Sequence, residues 1–235
     1  MGPLKLVLFD VDGTLIDSQH AIVAAMEAAA DEADLPTPTR ADTLNVVGLS
    51  LVEAVKRLFG DFDDYDQARM VQAYKNAYMT ARQSDGTPPF FAGALAAMEA
   101  LHARDEVLLG TATGMSRRGM RRIIETYGLD RLFATTQTAD DQPSKPDPAM
   151  VNAALSETGV APEDAVCDAG TKRLGAGLLG GEALGVGGDA AAPALGATAF
   201  LVGEDAFDEP VAMPFQRALD APDVDQVGAQ TDDHP

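Results

Sequence analysis

The segment Leu4-Lys5-Leu6-Val7-Leu8-Phe9-Asp10-Val11-Asp12-Gly13-Thr14-Leu15 constrains this chain more than any other part of it. Its apolar run with Val and Phe has the composition of a buried strand, and it stops at two carboxylates one residue apart, followed by Gly-Thr. Side chains alternate along a strand, so Asp10 and Asp12 are expected on the same side if the extended geometry continues that far. Two carboxylates at the end of a buried strand repel each other and lose solvation. A cation between them, or a proton on one of them, relieves the cost. A Ca²⁺ loop of the EF-hand type also begins Asp-x-Asp, but it needs a helix before it, a further oxygen ligand at its fifth position and Glu at its twelfth. Here those positions are Thr14 and Ala21. A plain turn, with Asp side chains bonded to the backbone beside a permissive Gly, is the remaining alternative. The strand in front and the partners downstream weigh against it.

At 235 residues the chain can bury one good core and a smaller satellite domain. It has no apolar run near the roughly 20 residues of a membrane span, so no membrane partner is expected. A secretory signal is not visible, and the single Cys167 excludes an internal disulfide framework, so a cytoplasmic location is expected. The formal charge of −20 argues against a nucleic-acid partner, because phosphate backbones are held by Lys and Arg. A small anionic substrate is not excluded, since the local field matters more than the total. Between Glu204 and Pro235 nine carboxylates face one Arg217, so residues 204–235 are expected to form an acidic, partly disordered tail.

Patterning predicts a strand at the start and then only helices up to about Gln83. Ser18 is placed to cap a helix running to about Asp34. Ser50-Leu51-Val52-Glu53 has the form of a capping box before a segment ending near Phe59-Gly60, and Tyr65 to Arg82 reads as a third helix. Ser84 to Pro89 is a return linker. Beyond it the pattern alternates: helix Gly93–Ala103, strand Val107–Ala112, helix Ser116–Tyr127, strand Phe133–Gln137, helix Asp147–Thr158 and strand Ala165–Asp168. Further strands are expected at Leu184–Val186 and Ala199–Val202. Repeated β-α units imply an α/β fold, a Rossmann-like parallel sheet with helices on both faces, carrying an inserted all-helical unit. Ligands of such sheets bind outside the carboxyl ends of the strands, where Asp10, Thr113 and Asp168 each fall.

Thr113 stands where a strand meets a helix N-terminus, and its hydroxyl with nearby N–H groups can bind phosphate oxygens without adding charge. The sequence around it lacks the Gly-Lys-Ser/Thr of a P-loop. In Ser144-Lys145-Pro146-Asp147-Pro148, two prolines restrain the backbone around one point charge suited to anchoring an anion. Asp168 offers a further oxygen for a hard cation such as Mg²⁺. Arg117, Arg118, Arg121 and Arg122 read as a solvated helix face. His20, His102 and His234 have no ligand-like spacing.

These segments, Phe9-Asp10-Val11-Asp12-Gly13-Thr14-Leu15-Ile16-Asp17, Ala112-Thr113-Gly114, Ser144-Lys145-Pro146 and a strand ending in Asp168, together resemble the haloacid dehalogenase superfamily. Gly48-Leu49-Ser50-Leu51 and Pro89-Phe90-Phe91-Ala92-Gly93 are similar to its phosphoglycolate-phosphatase-like branch. The resemblance covers residues 4 to about 168. It implies a core of residues 1–17 and 84–203 with a helical cap at 18–83. It also implies that Asp10 attacks phosphorus, that Asp12 protonates the leaving oxygen and later activates water, and that Thr113 and Lys145 hold the phosphoryl group. Mg²⁺ would bind Asp10, the backbone carbonyl of Asp12, and Asp168. The implied activity is a Mg²⁺-dependent phosphatase acting on a small phosphorylated metabolite. A sugar-phosphate mutase and a non-catalytic binding relative are the alternatives. The sequence departs from the family where Cys167 replaces a Gly and Lys172 stands in place of a second acid; a cation there opposes Mg²⁺ in so far as it faces the site. Oligomeric state has no signal in the sequence.

Overall fold

The computed structural model describes residues 3–60 and 63–168. The strands expected at Leu184–Val186 and Ala199–Val202, Lys172 and the acidic tail lie outside the described residues. Four parallel strands, β1 (Lys5–Phe9), β2 (Val107–Thr113), β3 (Phe133–Thr138) and β4 (Ala165–Asp168), form one sheet in the order β3-β2-β1-β4. The central strand β1 is apolar on both faces, as a doubly covered parallel strand must be. Val7 and Phe9 pack with Ala94, Ala97 and Met98 of α5 (Ala94–His102) and with Met120 and Ile123 of α6 (Arg117–Tyr127). Leu6 and Leu8 face the other way, onto Val151 and Ala154 of α7 (Ala149–Thr158). The α/β architecture expected from the alternating pattern is therefore present. Its strand ends bring Asp10, Thr113 and Asp168 to one edge of the sheet.

Four helices intervene between β1 and α5: α1 (Gln19–Glu32), α2 (Arg40–Val46), α3 (Leu51–Phe59) and α4 (Asp64–Asp85). They have a core of their own, in which Met26, Ala29 and Ala30 of α1 meet Val55 of α3 and Met70 and Ala73 of α4. Helix α2 has no counterpart in the sequence expectation. Leu35-Pro36 reads as a stop, yet Thr39 caps a new turn by accepting from the Asp42 amide at 3.1 Å. The two crossings between insertion and sheet are clasped together: the Asp17 amide donates to Pro89 O at 2.8 Å and the Phe91 amide to Leu15 O at 2.9 Å. None of the described helices is long and apolar enough to cross a membrane.

Two local expectations are corrected. Ser18 occupies the N-cap position of α1 but makes no side-chain capping bond. At α3, Ser50 does accept from the Glu53 amide, at 3.4 Å, but Glu53 does not complete the capping box. The Ser50 amide instead donates to Ser144 Oγ at 2.8 Å, which ties the insertion to a loop of the sheet domain.

Candidate active site

Strand β1 ends at Phe9, so Asp10 is the first residue past it and strand alternation does not place Asp12. A compact loop does. Val11 O accepts from the amides of Leu15 and Ile16, both at 3.0 Å, and the Gly13 amide donates to Ile16 O at 3.0 Å. A folded turn, in place of a continuing strand, thus sets the position of Asp12 relative to Asp10.

Asp10 is buried, and its Oδ1 carries two interactions. The Val11 amide donates to it at 2.8 Å, and Lys145 Nζ lies 3.0 Å away in an ion pair. Lys145 is itself buried, with 9 % exposure. A charge at that depth is tolerated only beside an opposite one, so the two residues are mutually required. Among the described residues, no hydrogen bond or ion pair reaches Asp10 Oδ2. That oxygen faces Gly48 so closely that a Cβ there would come within 3.0 Å of it, and Gly48 has φ +92°, which disfavours a side chain in any case.

Asp12 is held differently. Its Oδ1 is sealed from water and has no hydrogen-bond partner. Burial pushes its pKa up to about 6; the nearby Ser18 hydroxyl offsets part of this, the Asp10 carboxylate adds to it, and Lys145 and Arg82 oppose it. Ser18 Oγ is equally buried, and no hydrogen bond of ordinary geometry joins it to Asp12. Asp12 is therefore held more basic than an ordinary carboxylate, which suits a group that carries a proton in a site.

Thr113 ends β2 fully buried, and its Oγ1 accepts from the Met115 amide at 3.1 Å, which leaves its own proton available to donate. Asp168 ends β4 in register with Phe9, one residue before Asp10. The four arginines of α6 are exposed, as expected, and Arg117 pairs with Asp141. Arg82, near the end of α4, has no sequence signal at all. It acts on Asp12 from the insertion, while its NH2 group donates to Thr87 Oγ1 at 2.9 Å.

The backbone of residues 48–50 touches three loops of the sheet domain in succession. Gly48 lies on Asp10 Oδ2, and the carbonyls of Gly48 and Leu49 lie over Gly114, where an added Cβ would come 2.7 Å from Gly48 O and overlap Leu49 O. Ser50 binds Ser144. Beside this contact opens a cleft of about 880 Å³, with Asp10, Lys145 and Pro146 on the sheet side and α2, α3 and their connections on the other. Asp12 and Thr113 are not among the residues that line the cleft; Asp12 follows the lining residue Asp10 by two positions.

Among the described residues no three His, Cys, Asp or Glu side chains converge as a metal cluster. The donors present still suit a hard divalent cation: two carboxylates in electrostatic contact, one of them with a buried oxygen that lacks any donor.

Comparison with known proteins bears on the family and the fold. The model of a family described as haloacid dehalogenase-like hydrolase matches residues 7–167. A pyrophosphatase PpaX of Bacillus pumilus is 30 % identical over 164 residues, covering 69 % of this chain and 73 % of that protein. A phosphoglycolate phosphatase of Rhodospirillum rubrum is 31 % identical over 170 residues, covering 69 % and 70 %. In fold, the crystal structure of a hydrolase from Pseudomonas syringae superposes with a TM-score of 0.61 at 24 % identity, over 71 % of this chain and 74 % of that one.

Proposed function

The chain belongs to the haloacid dehalogenase-like hydrolase family, and on that premise we propose that it is a Mg²⁺-dependent phosphatase of small phosphate monoesters, working through a phosphorylated Asp10. The observation that carries the reading is the buried Lys145–Asp10 pair at 3.0 Å on the floor of the cleft. A lysine there offsets the repulsion between a carboxylate nucleophile and an anionic phosphoryl group and still has donors to offer the phosphoryl oxygens. With Oδ1 held by Lys145 and the Val11 amide, Oδ2 is the oxygen left to attack.

In the first step Asp10 Oδ2 forms a bond to phosphorus and the ester P–O bond breaks. Asp12, with its pKa raised to about 6, carries the proton that the leaving oxygen takes. In the second step the Asp12 carboxylate accepts a proton from water as the water oxygen attacks phosphorus, and Asp10 is released. Thr113 Oγ1, already accepting from Met115, donates its proton to a phosphoryl oxygen. Asp10, the backbone carbonyl of Asp12 and Asp168 would hold Mg²⁺, which supplies charge neutralisation for the phosphoryl group. The helical insertion serves as the cap that excludes bulk water. Relatives are named for pyrophosphate and for phosphoglycolate, and of these we take a phosphoglycolate-like ester as the substrate; a cytoplasmic location goes with the reading as a metabolite phosphatase.

Phosphate release from a panel of small monoesters, with Mg²⁺ and then with chelator, tests the proposal. Release that depends on Mg²⁺ is expected for at least one ester of the panel. Binding of esters without release would favour the non-catalytic alternative.

A further inference from the structure

We propose that Arg57 forms a second anion subsite in the cleft, so that the substrate is a small phosphate ester or anhydride with a further anionic group on its leaving portion. This inference rests on the phosphatase reading of the same site and narrows its substrate class. Arg57 lines the cleft from α3, opposite Asp10 and Lys145. It and Lys145 are the only Lys or Arg among the cleft residues, against Asp10 and Asp42. The cleft is thus charge-balanced in a chain of net charge −20, which makes it a relative haven for an anion.

The state of each of the four charges distinguishes Arg57. Asp10 and Lys145 are paired with each other. The Asp42 carboxylate accepts from the Thr39 hydroxyl at 2.6 Å as part of the turn that starts α2. Arg57 alone has no ion pair or hydrogen bond among the described residues. A cation in the last turn of α3 also complements the helix dipole, but Lys56 already provides one there, and Lys56 is paired with Glu53 at 4.0 Å. Complementing the dipole does not require a second cation turned to the cleft.

The spacing suits one small molecule. The amide of Ser50, the residue that starts α3, is bonded to Ser144, the neighbour of Lys145. Arg57 lies seven residues on, about 10 Å along the axis at the usual rise. Side chains on a helix lean back toward its N-terminus, so the guanidinium reaches toward the phosphate end. Its planar fork matches a carboxylate or a phosphoryl group, whereas nothing else lining the insertion side is cationic. Arg57 is exposed, so water satisfies it in the free protein, and an ester with a neutral leaving group would make no use of its charge.

The test compares kcat/KM for 2-phosphoglycolate and inorganic pyrophosphate with that for ethyl phosphate, in the full chain and in Arg57→Ala, Arg57→Lys and Lys56→Ala. Wild type should favour one or both of the two-anion substrates, and the arm that wins identifies the second group as carboxylate or phosphoryl. In Arg57→Ala the ratio to ethyl phosphate should fall at least tenfold. Arg57→Lys should restore part of it, and Lys56→Ala, which removes the same charge away from the cleft, should leave the ratio as it is. An unchanged ratio in Arg57→Ala, an equal fall in Lys56→Ala, or no preference in wild type would overturn the inference. Calorimetric affinities for pyrophosphate against phosphate, in chelator-treated protein, read the effect of the second anion on binding without turnover, and this ratio too should fall in Arg57→Ala and not in Lys56→Ala. If wild type binds these anions but releases phosphate from no ester of the wider panel, the phosphatase reading fails, while the binding ratio still decides the role of Arg57.

Discussion

Ser144 Oγ accepts a hydrogen bond from the Ser50 amide at 2.8 Å, so the loop that carries the buried Lys145 also anchors the first turn of α3 in the insertion. The insertion and the loop of Lys145 are joined by one contact. The helical insertion and the sheet thereby meet beside the candidate site.

Ser144→Ala removes the acceptor and leaves a partly buried N–H unpaired, at a cost of about 1 kcal/mol. The expected consequence is local. Hydrogen exchange at the Ser50 amide should accelerate several-fold, while amides in the β1–β2 ladder keep their protection. Uniform acceleration would mean that the contact supports the whole fold and not the seam.

Gly114 lies under the carbonyls of Gly48 and Leu49, where no Cβ fits. Gly114→Ala must push the 48–50 segment away from Asp10, with a cost of roughly 1–3 kcal/mol typical of overpacking. Activity should fall more than thermal stability implies, because the displaced segment is the one facing Asp10 Oδ2. A variant with wild-type turnover would show that closure of this segment over Asp10 is not needed.

Asp12→Asn should raise stability while lowering turnover. In the folded protein Asp12 is pushed up to about 6 from an ordinary value of 3.8, so the fold disfavours its ionised form. The unfolded chain loses this proton as pH rises from about 4 to 6 while the folded chain keeps it, and stability declines across that window. The amide escapes the penalty. In chelator-treated protein the variant should gain on the order of 1–3 kcal/mol above pH 6, with the gain vanishing below about pH 4. Denaturant melts at pH 4 and pH 7.5 read the difference, and no gain at the higher pH would mean that Asp12 ionises freely.

Much of this arrangement is legible in the sequence. The apolar β1 run identifies a doubly covered strand, and Asp10, Thr113, Lys145 and Asp168 stand at segment ends that any parallel sheet brings to one edge. The roles assigned to them draw on motif order as well as on chemistry, because a lone threonine or loop lysine has many structural uses. What was not legible depends on tertiary proximity. Helix α2 begins shortly after Leu35-Pro36, which locally reads as a stop. The Ser50 amide finds Ser144 in place of the nearby Glu53, a long-range partner that no local capping pattern encodes. Arg82 and Arg57 are ordinary helix-surface arginines until the insertion is packed against the sheet domain. Strand alternation relates Asp10 to Asp12 only where the extended geometry continues, and here the strand stops at Phe9 and a folded turn does the placing.

The role of Asp10 as phosphoryl acceptor is tested most directly by phosphate release from a hydrolysed ester in wild type and Asp10→Asn. The two proteins are purified identically and assayed with Mg²⁺. The amide keeps the size and the Val11 contact but has no carboxylate oxygen to attack phosphorus. Turnover should fall by at least roughly a thousandfold, the scale seen when a nucleophile is removed from a catalytic group acting as a unit. Asp10→Asn turning over at the wild-type rate would contradict catalysis through a phosphorylated Asp10.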